Sequence, residues 1–129
     1  MTIHKSAIVS DPHSKPLVGI VGVCTSGKST LISGLMEYGI NTRHIAQEHS
    51  YVKDMWKRIT NPDILIFLDA SFPVTLGRRK FNWIEEDWAE QQRRLNHARE
   101  HADFYVNTDQ LNAAQVLELV INFLENRNK

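Results

Sequence analysis

Gly22-Val23-Cys24-Thr25-Ser26-Gly27-Lys28-Ser29 sets two glycines, a lysine and a hydroxyl at the spacing G-x-x-x-x-G-K-[ST]. Each fixed residue type has a task in holding phosphate. Glycine removes the Cβ that would obstruct a tight backbone wrap, so the N–H groups of Cys24, Thr25, Ser26 and Gly27 can point inward at phosphate oxygens. A helix opening near Lys28 adds the partial positive charge of its N-terminus. Lys28 can bridge the terminal phosphates, the Ser29 hydroxyl can complete a magnesium shell of water and phosphate oxygen, and Thr30 extends the cradle by one residue. Cys24, beside a helix N-terminus and a lysine, is also a candidate reactive thiol, although most cysteines in such a place fill a variable loop position.

Further residues could complete the chemistry. Asp69 closes the apolar run Ile64-Leu65-Ile66-Phe67-Leu68, where an acid can hold magnesium through water or cap the next helix. Glu48 follows a candidate strand over 42–46. If that strand lies beside the first, its carboxyl end brings Gln47 or Glu48 toward the phosphates, because ligands of open α/β sheets gather there. Glu48 could then serve as base or as an outer magnesium group; the alternative is a solvated loop carboxylate. His44 and His49 match no strong zinc spacing. Arg78 and Arg79 could neutralise charge on a transferred phosphoryl group or simply end a helix with favourable charge.

Strands and helices must position these residues. Residues 17–21 form a short apolar run suited to a buried strand, and residues 28–38 carry Leu31, Ile32 and Leu35 at helical spacing before Gly39. Tyr51, Val52, Met55, Trp56 and Ile59 predict one helical face ahead of Asn61-Pro62. After the strand over 64–68, Ser71 and Pro73 open a short helix reaching Arg79. Ile84, Trp88, Leu95, Ala98 and Ala102 form the stripe of a long amphipathic helix. Residues 104–106 read as the last strand, and Asn112 with Gln115 as a capping box for a final helix facing inward through Ala114, Leu117, Val120, Ile121 and Leu124. The alternation predicts a three-layer α/β/α fold with a four- to five-stranded, mostly parallel sheet.

The 129 residues, 42% hydrophobic, suit one domain over 17–129 behind a loose leader over 1–16, with a short strand allowed at Ile8-Val9. Fifteen basic and fifteen acidic residues cancel, so no global field recruits nucleic acid or an anionic membrane. The one cysteine, the absence of a signal-like start and the absence of a spanning apolar run predict a cytoplasmic protein.

The chain resembles the small P-loop kinases, the superfamily of shikimate, adenylate, thymidylate and dephospho-coenzyme A kinases. Three places carry the resemblance: the loop from Gly22 to Thr30, the strand and turn from Pro62 to Ser71 with Arg78 and Arg79 where lid arginines begin, and the segment from His101 to Asp109. The resemblance implies the P-loop NTPase fold, ATP and Mg2+ as cofactors, and phosphoryl transfer to a small metabolite. By it, Lys28, Arg78 and Arg79 are catalytic, Ser29 serves the metal, and Thr108 lies in the loop that packs against adenine; the acid in the place of Asp69 is often structural in these kinases, a metal role being the alternative, and Glu48 or Asp69 would orient the acceptor hydroxyl. The chain departs from the family in lacking an acceptor-binding insert and in having only residues 80–83 for a lid. A nucleotide sensor or reduced kinase relative without turnover, or a slow ATPase, therefore stays open, as does a homodimer supplying a lid or arginine in trans. No Asn-Lys-x-Asp run reads guanine, which favours ATP over GTP.

Overall fold

The computed structural model describes residues 15–78 and 82–127. The expected strand at Ile8-Val9, Arg79 and the first lid residues fall outside them. Strand β1 (Val18–Gly22) is buried at all five positions, as its unbroken apolar run requires of a strand with neighbours on both sides. It leads through the glycine loop to α1 (Lys28–Glu37), which ends at Tyr38 ahead of Gly39. Strand β2 (Thr42–His44) is short and largely exposed, an edge strand. Its hydrogen bonding to β1 reaches one residue further, where Ile45 N–H donates to Ile20 O.

Strand β3 (Ile64–Asp69), helix α2 (Phe72–Arg78), helix α3 (Glu85–His101), strand β4 (Phe104–Asn107) and helix α4 (Ala113–Arg127) complete the order. The four-stranded sheet runs β2-β1-β3-β4 and every pairing is parallel. Register is set by Val18 opposite both Thr42 and Ile64, and by Asp69 opposite Asn107. Alternate strand residues feed two cores. Val18, Ile20, Ile66 and Leu68 pack with Leu35 of α1 and Val120 of α4, while Val21, Leu65 and Phe67 pack with Leu95 and Ala98 of α3. Helices thus cover both faces, which is why the strands carry no polar alternation.

The capping box expected at the last helix is present, since Asn112 N–H donates to Gln115 Oε1 and Gln115 N–H to Asn112 Oδ1, each at 2.8 Å. At α3 the Asp87 carboxylate takes the Ile84 N–H. The expected helical face over 51–59 is not formed. Only a π-helical turn over Trp56–Thr60 appears, with Trp56 buried while Tyr51 is 88% and Ile59 76% exposed. The reason is Gln47, whose buried carboxamide accepts from Trp56 N–H at 2.8 Å and donates to Val52 O at 2.8 Å. That side chain substitutes for the missing helical turn by satisfying its backbone groups.

Among the described residues no helix is long and apolar enough to cross a membrane.

Candidate functional site

The chain leaves β1 to form β2 on one side and β3 on the other, so the strand order reverses at β1 and opens a crevice beyond its carboxyl end. The loop between β1 and α1 sits in that crevice. Gly22 is required by contact, because a Cβ there would lie 2.0 Å from the Leu68 carbonyl oxygen of the adjoining strand. Gly27 is required by conformation, at φ 96°, and a Cβ on it would meet only open space. Gly27 is also the N-cap of α1 and has no side chain to cap the first N–H groups of the helix, which lack intrahelical acceptors.

Lys28 is 6% exposed and turns its ammonium back across the loop. It donates to Gly22 O at 2.8 Å, Val23 O at 3.1 Å and Glu48 Oε2 at 2.8 Å. The carboxyl end of β2 therefore does deliver Glu48 to the loop, on the 3₁₀ turn Gln47–His49. Glu48 is 3% exposed; the solvated-carboxylate alternative is excluded by that burial. Its other oxygen, Oε1, is buried without a hydrogen-bond partner among the described residues, and so are Thr25 Oγ1 and Ser26 Oγ. Buried polar atoms left this way cost about 1–3 kcal/mol each unless something binds them. Water or a cation's water shell would suit all three, and phosphate oxygens would suit the two hydroxyls.

Two openings flank the loop. One, of about 190 Å³, is lined by Thr25, Gly27, Thr30, Arg78, Thr108 and Val116 among others. The other, of about 380 Å³, is lined by Cys24, Lys28, Ser29, His44, Glu48 and His49 among others. Lys28, Ser29 and Glu48 thus share one cleft, and Thr108 borders the opposite one. His44 and His49 stand at the rim of the wider cleft, yet no group of three or more His, Cys, Asp or Glu among the described residues could hold a metal ion.

Arg78 has its guanidinium committed to Thr25 O at 2.9 Å and to the hydroxyl and carbonyl oxygens of Thr108 at 3.2 and 3.1 Å. It is a strut between the loop and the end of β4. Asp69 points elsewhere. Its Oδ1 accepts from Ala70 N–H and from Gln92 Nε2, each at 2.9 Å, and its Oδ2 accepts from the Tyr105 hydroxyl at 2.6 Å. Arg99 stands 3.7 Å from the same oxygen and also bonds Gln92. Burial, with the Asp69 bond and charge adding to it, pushes the Tyr105 phenol up to about 12.

Gln91 escaped the sequence reading. It is 5% exposed, accepts from Cys24 N–H through Oε1 at 3.0 Å, and donates from Nε2 to Cys24 Sγ at 3.4 Å. A signal existed: the stripe Ile84, Trp88, Leu95, Ala98, Ala102 skips a turn between 88 and 95, and Gln91 fills the gap. Thr25, next to Cys24, adopts φ 67°, a left-handed conformation that costs a β-branched residue about 1–2 kcal/mol.

Compared with known proteins, the chain matches no protein-family model and no curated protein.

Proposed function

We propose that the chain is a P-loop nucleotide-binding protein of the small-kinase type, which takes ATP with Mg2+ and passes the γ-phosphoryl group to a small hydroxylated acceptor. The observation that carries the reading is Lys28 at the mouth of the glycine-wrapped loop, paired at 2.8 Å with a buried Glu48 whose second oxygen has no partner among the described residues. Such a constellation at the carboxyl end of a central parallel strand suits a terminal phosphate and the group that reacts with it. The orphaned Thr25 and Ser26 hydroxyls and the uncapped start of α1 fit phosphate oxygens, and the Ser29 hydroxyl with Glu48 fits a magnesium shell.

Lys28 exchanges one of its carbonyl bonds for a terminal phosphate oxygen and draws charge off it as the bond to the leaving oxygen stretches. Ser29 and Glu48 would hold magnesium or its waters, and the metal would supply neutralisation of phosphate charge. Glu48 Oε1 receives the acceptor's hydroxyl proton while the acceptor oxygen bonds to phosphorus and ADP departs. Thr108 and Arg78 form the wall of the smaller opening, on the side where the base would lie. Asp69 has no metal duty in this scheme, because its oxygens already serve Ala70, Gln92 and Tyr105.

A second reading is binding without turnover. It is favoured by the ion pair itself, since a lysine already neutralised by Glu48 suits a resting sensor as well as a kinase. Calorimetric titration with Mg-ATP decides first: binding that weakens at least a hundredfold in Lys28→Ala supports both readings, and no binding by the wild-type chain refutes both. Transfer of labelled γ-phosphate to any member of a panel of hydroxylated metabolites then selects the kinase. Tight binding with no product selects the sensor.

A further inference from the structure

We infer that Gln91 and Arg78 are positioning residues that jointly hold Thr25 in its left-handed conformation, and that this grip fixes the direction in which the loop presents its N–H groups to phosphate. The inference rests on the phosphate-binding reading above and adds to it the device that shapes the site. Three observations converge on Thr25 and the peptides that flank it. Thr25 has φ 67°, where a β-branched residue does not settle unaided. Immediately before it, the Cys24 N–H and thiol sulfur are both engaged by the Gln91 carboxamide, at 3.0 and 3.4 Å. Immediately after it, the Thr25 carbonyl accepts from Arg78 at 2.9 Å.

The two grips come from different helices, α3 and α2, separated from the loop by 67 and 53 positions in sequence. Each grip is itself anchored. Gln91 is buried in the stripe of α3, one turn from Leu95 and two from Ala98, so its carboxamide has little rotamer freedom. Arg78 is fastened by two further bonds to Thr108. A conformation that would relax in a free loop is thereby over-determined, which is the condition under which strain persists at a binding site. Thr25 also lines both openings beside the loop, so a change in its φ would alter the two together. If Thr25 relaxed to a right-handed or extended conformation, the peptides on either side would rotate and the N–H groups behind them would leave the cradle.

The test is rescue by glycine, which adopts positive φ without strain. In Gln91→Met, a side chain of similar volume that forms neither bond, Mg-ATP affinity measured by calorimetry should fall about tenfold or more with the far-UV spectrum unchanged. In the Thr25→Gly background, which has itself lost the phosphate-facing Thr25 hydroxyl, adding Gln91→Met should cost no more than about twofold, because the clamp is no longer needed. Arg78→Met should show a deficit that likewise shrinks in the Thr25→Gly background, which keeps the inference testable if Gln91→Met does not fold. Wild-type affinity in both Gln91→Met and Arg78→Met, or losses that are as large in the Thr25→Gly background, would overturn it. Amide exchange at Cys24 needs no ligand and separates the two layers of argument. A Cys24 amide protected in wild type and fast in Gln91→Met supports the clamp even where Mg-ATP does not bind, in which case the phosphate reading alone falls. A Cys24 amide already unprotected in wild type defeats the clamp.

Discussion

Strands β1 and β3 lie side by side, both buried and both ending in residues able to do chemistry, yet their ends are finished in opposite ways. Beyond β1, Thr25 Oγ1, Ser26 Oγ and Glu48 Oε1 are buried without partners among the described residues, and Lys28 spends its charge on an ion pair that a ligand could share. Beyond β3, the Asp69 carboxylate is fully taken up by Ala70, Gln92 and Tyr105. A buried polar group that is satisfied stiffens the fold, and one that is left open costs stability until something arrives. By that criterion the end of β1 leaves open the groups that the proposed phosphate site would use, and the end of β3 closes the structure. An acid at the end of an apolar strand is thus an ambiguous signal until its partners are known.

The largest effect that could break this contrast lies in the buried pair. Lys28→Met should cost about 3–5 kcal/mol in urea denaturation, because it strands the Glu48 carboxylate without a counter-charge. Glu48→Gln should cost less, since the Lys28 ammonium keeps the Gly22 and Val23 carbonyls. Equal stability of Lys28→Met and wild type would mean that the β1 end carries no such pair in solution. Gly22→Ala comes next, at about 1–3 kcal/mol, because its methyl group must displace the Leu68 carbonyl from 2.0 Å. A thermal melt unchanged by that substitution would show that the two strand ends are not packed together as described.

Asp69→Asn should cost only about 1 kcal/mol and leave Mg-ATP affinity within about twofold of wild type. A tenfold loss of affinity would make the end of β3 part of the metal site and erase the contrast. The smallest effect is spectroscopic. Of the three tyrosines, Tyr105 should ionise late, near 12, and Asp69→Asn should bring its absorbance transition down toward the ordinary value of 10.0. The folded chain favours the neutral phenol, so the stability Tyr105 contributes is complete below about pH 10 and is lost as pH rises through about 12. Tyr105→Phe should flatten that alkaline decline. An alkaline titration in which all three tyrosines ionise together would contradict the Tyr105–Asp69 bond.

Much of the architecture was legible from the chain. Unbroken apolar runs at 17–21 and 64–68 could only be strands covered on both faces, and the stripe through Leu95 and Ala98 could only be a helix lying on them. The capping pair Asn112 and Gln115 is local and therefore readable. Reading failed over 51–59, where Tyr51, Val52 and Ile59 ended in solvent while Trp56 turned inward, because a single buried carboxamide from Gln47 took over the backbone bonding. It was also silent at Gln91, since a polar residue inside an apolar stripe looks like an interruption until its partner at Cys24, 67 positions away, is seen.

The sequence by itself determined the glycine loop between β1 and α1, because glycine, lysine and serine act there through backbone geometry and spacing that are local. It determined the alternation of strand and helix for the same reason. Only the tertiary structure decided which acid serves which end of the sheet. Strand order placed Glu48 against Lys28 and surrounded Asp69 with Gln92 and Tyr105, and such pairings depend on where chains cross in space rather than on their distance along the sequence.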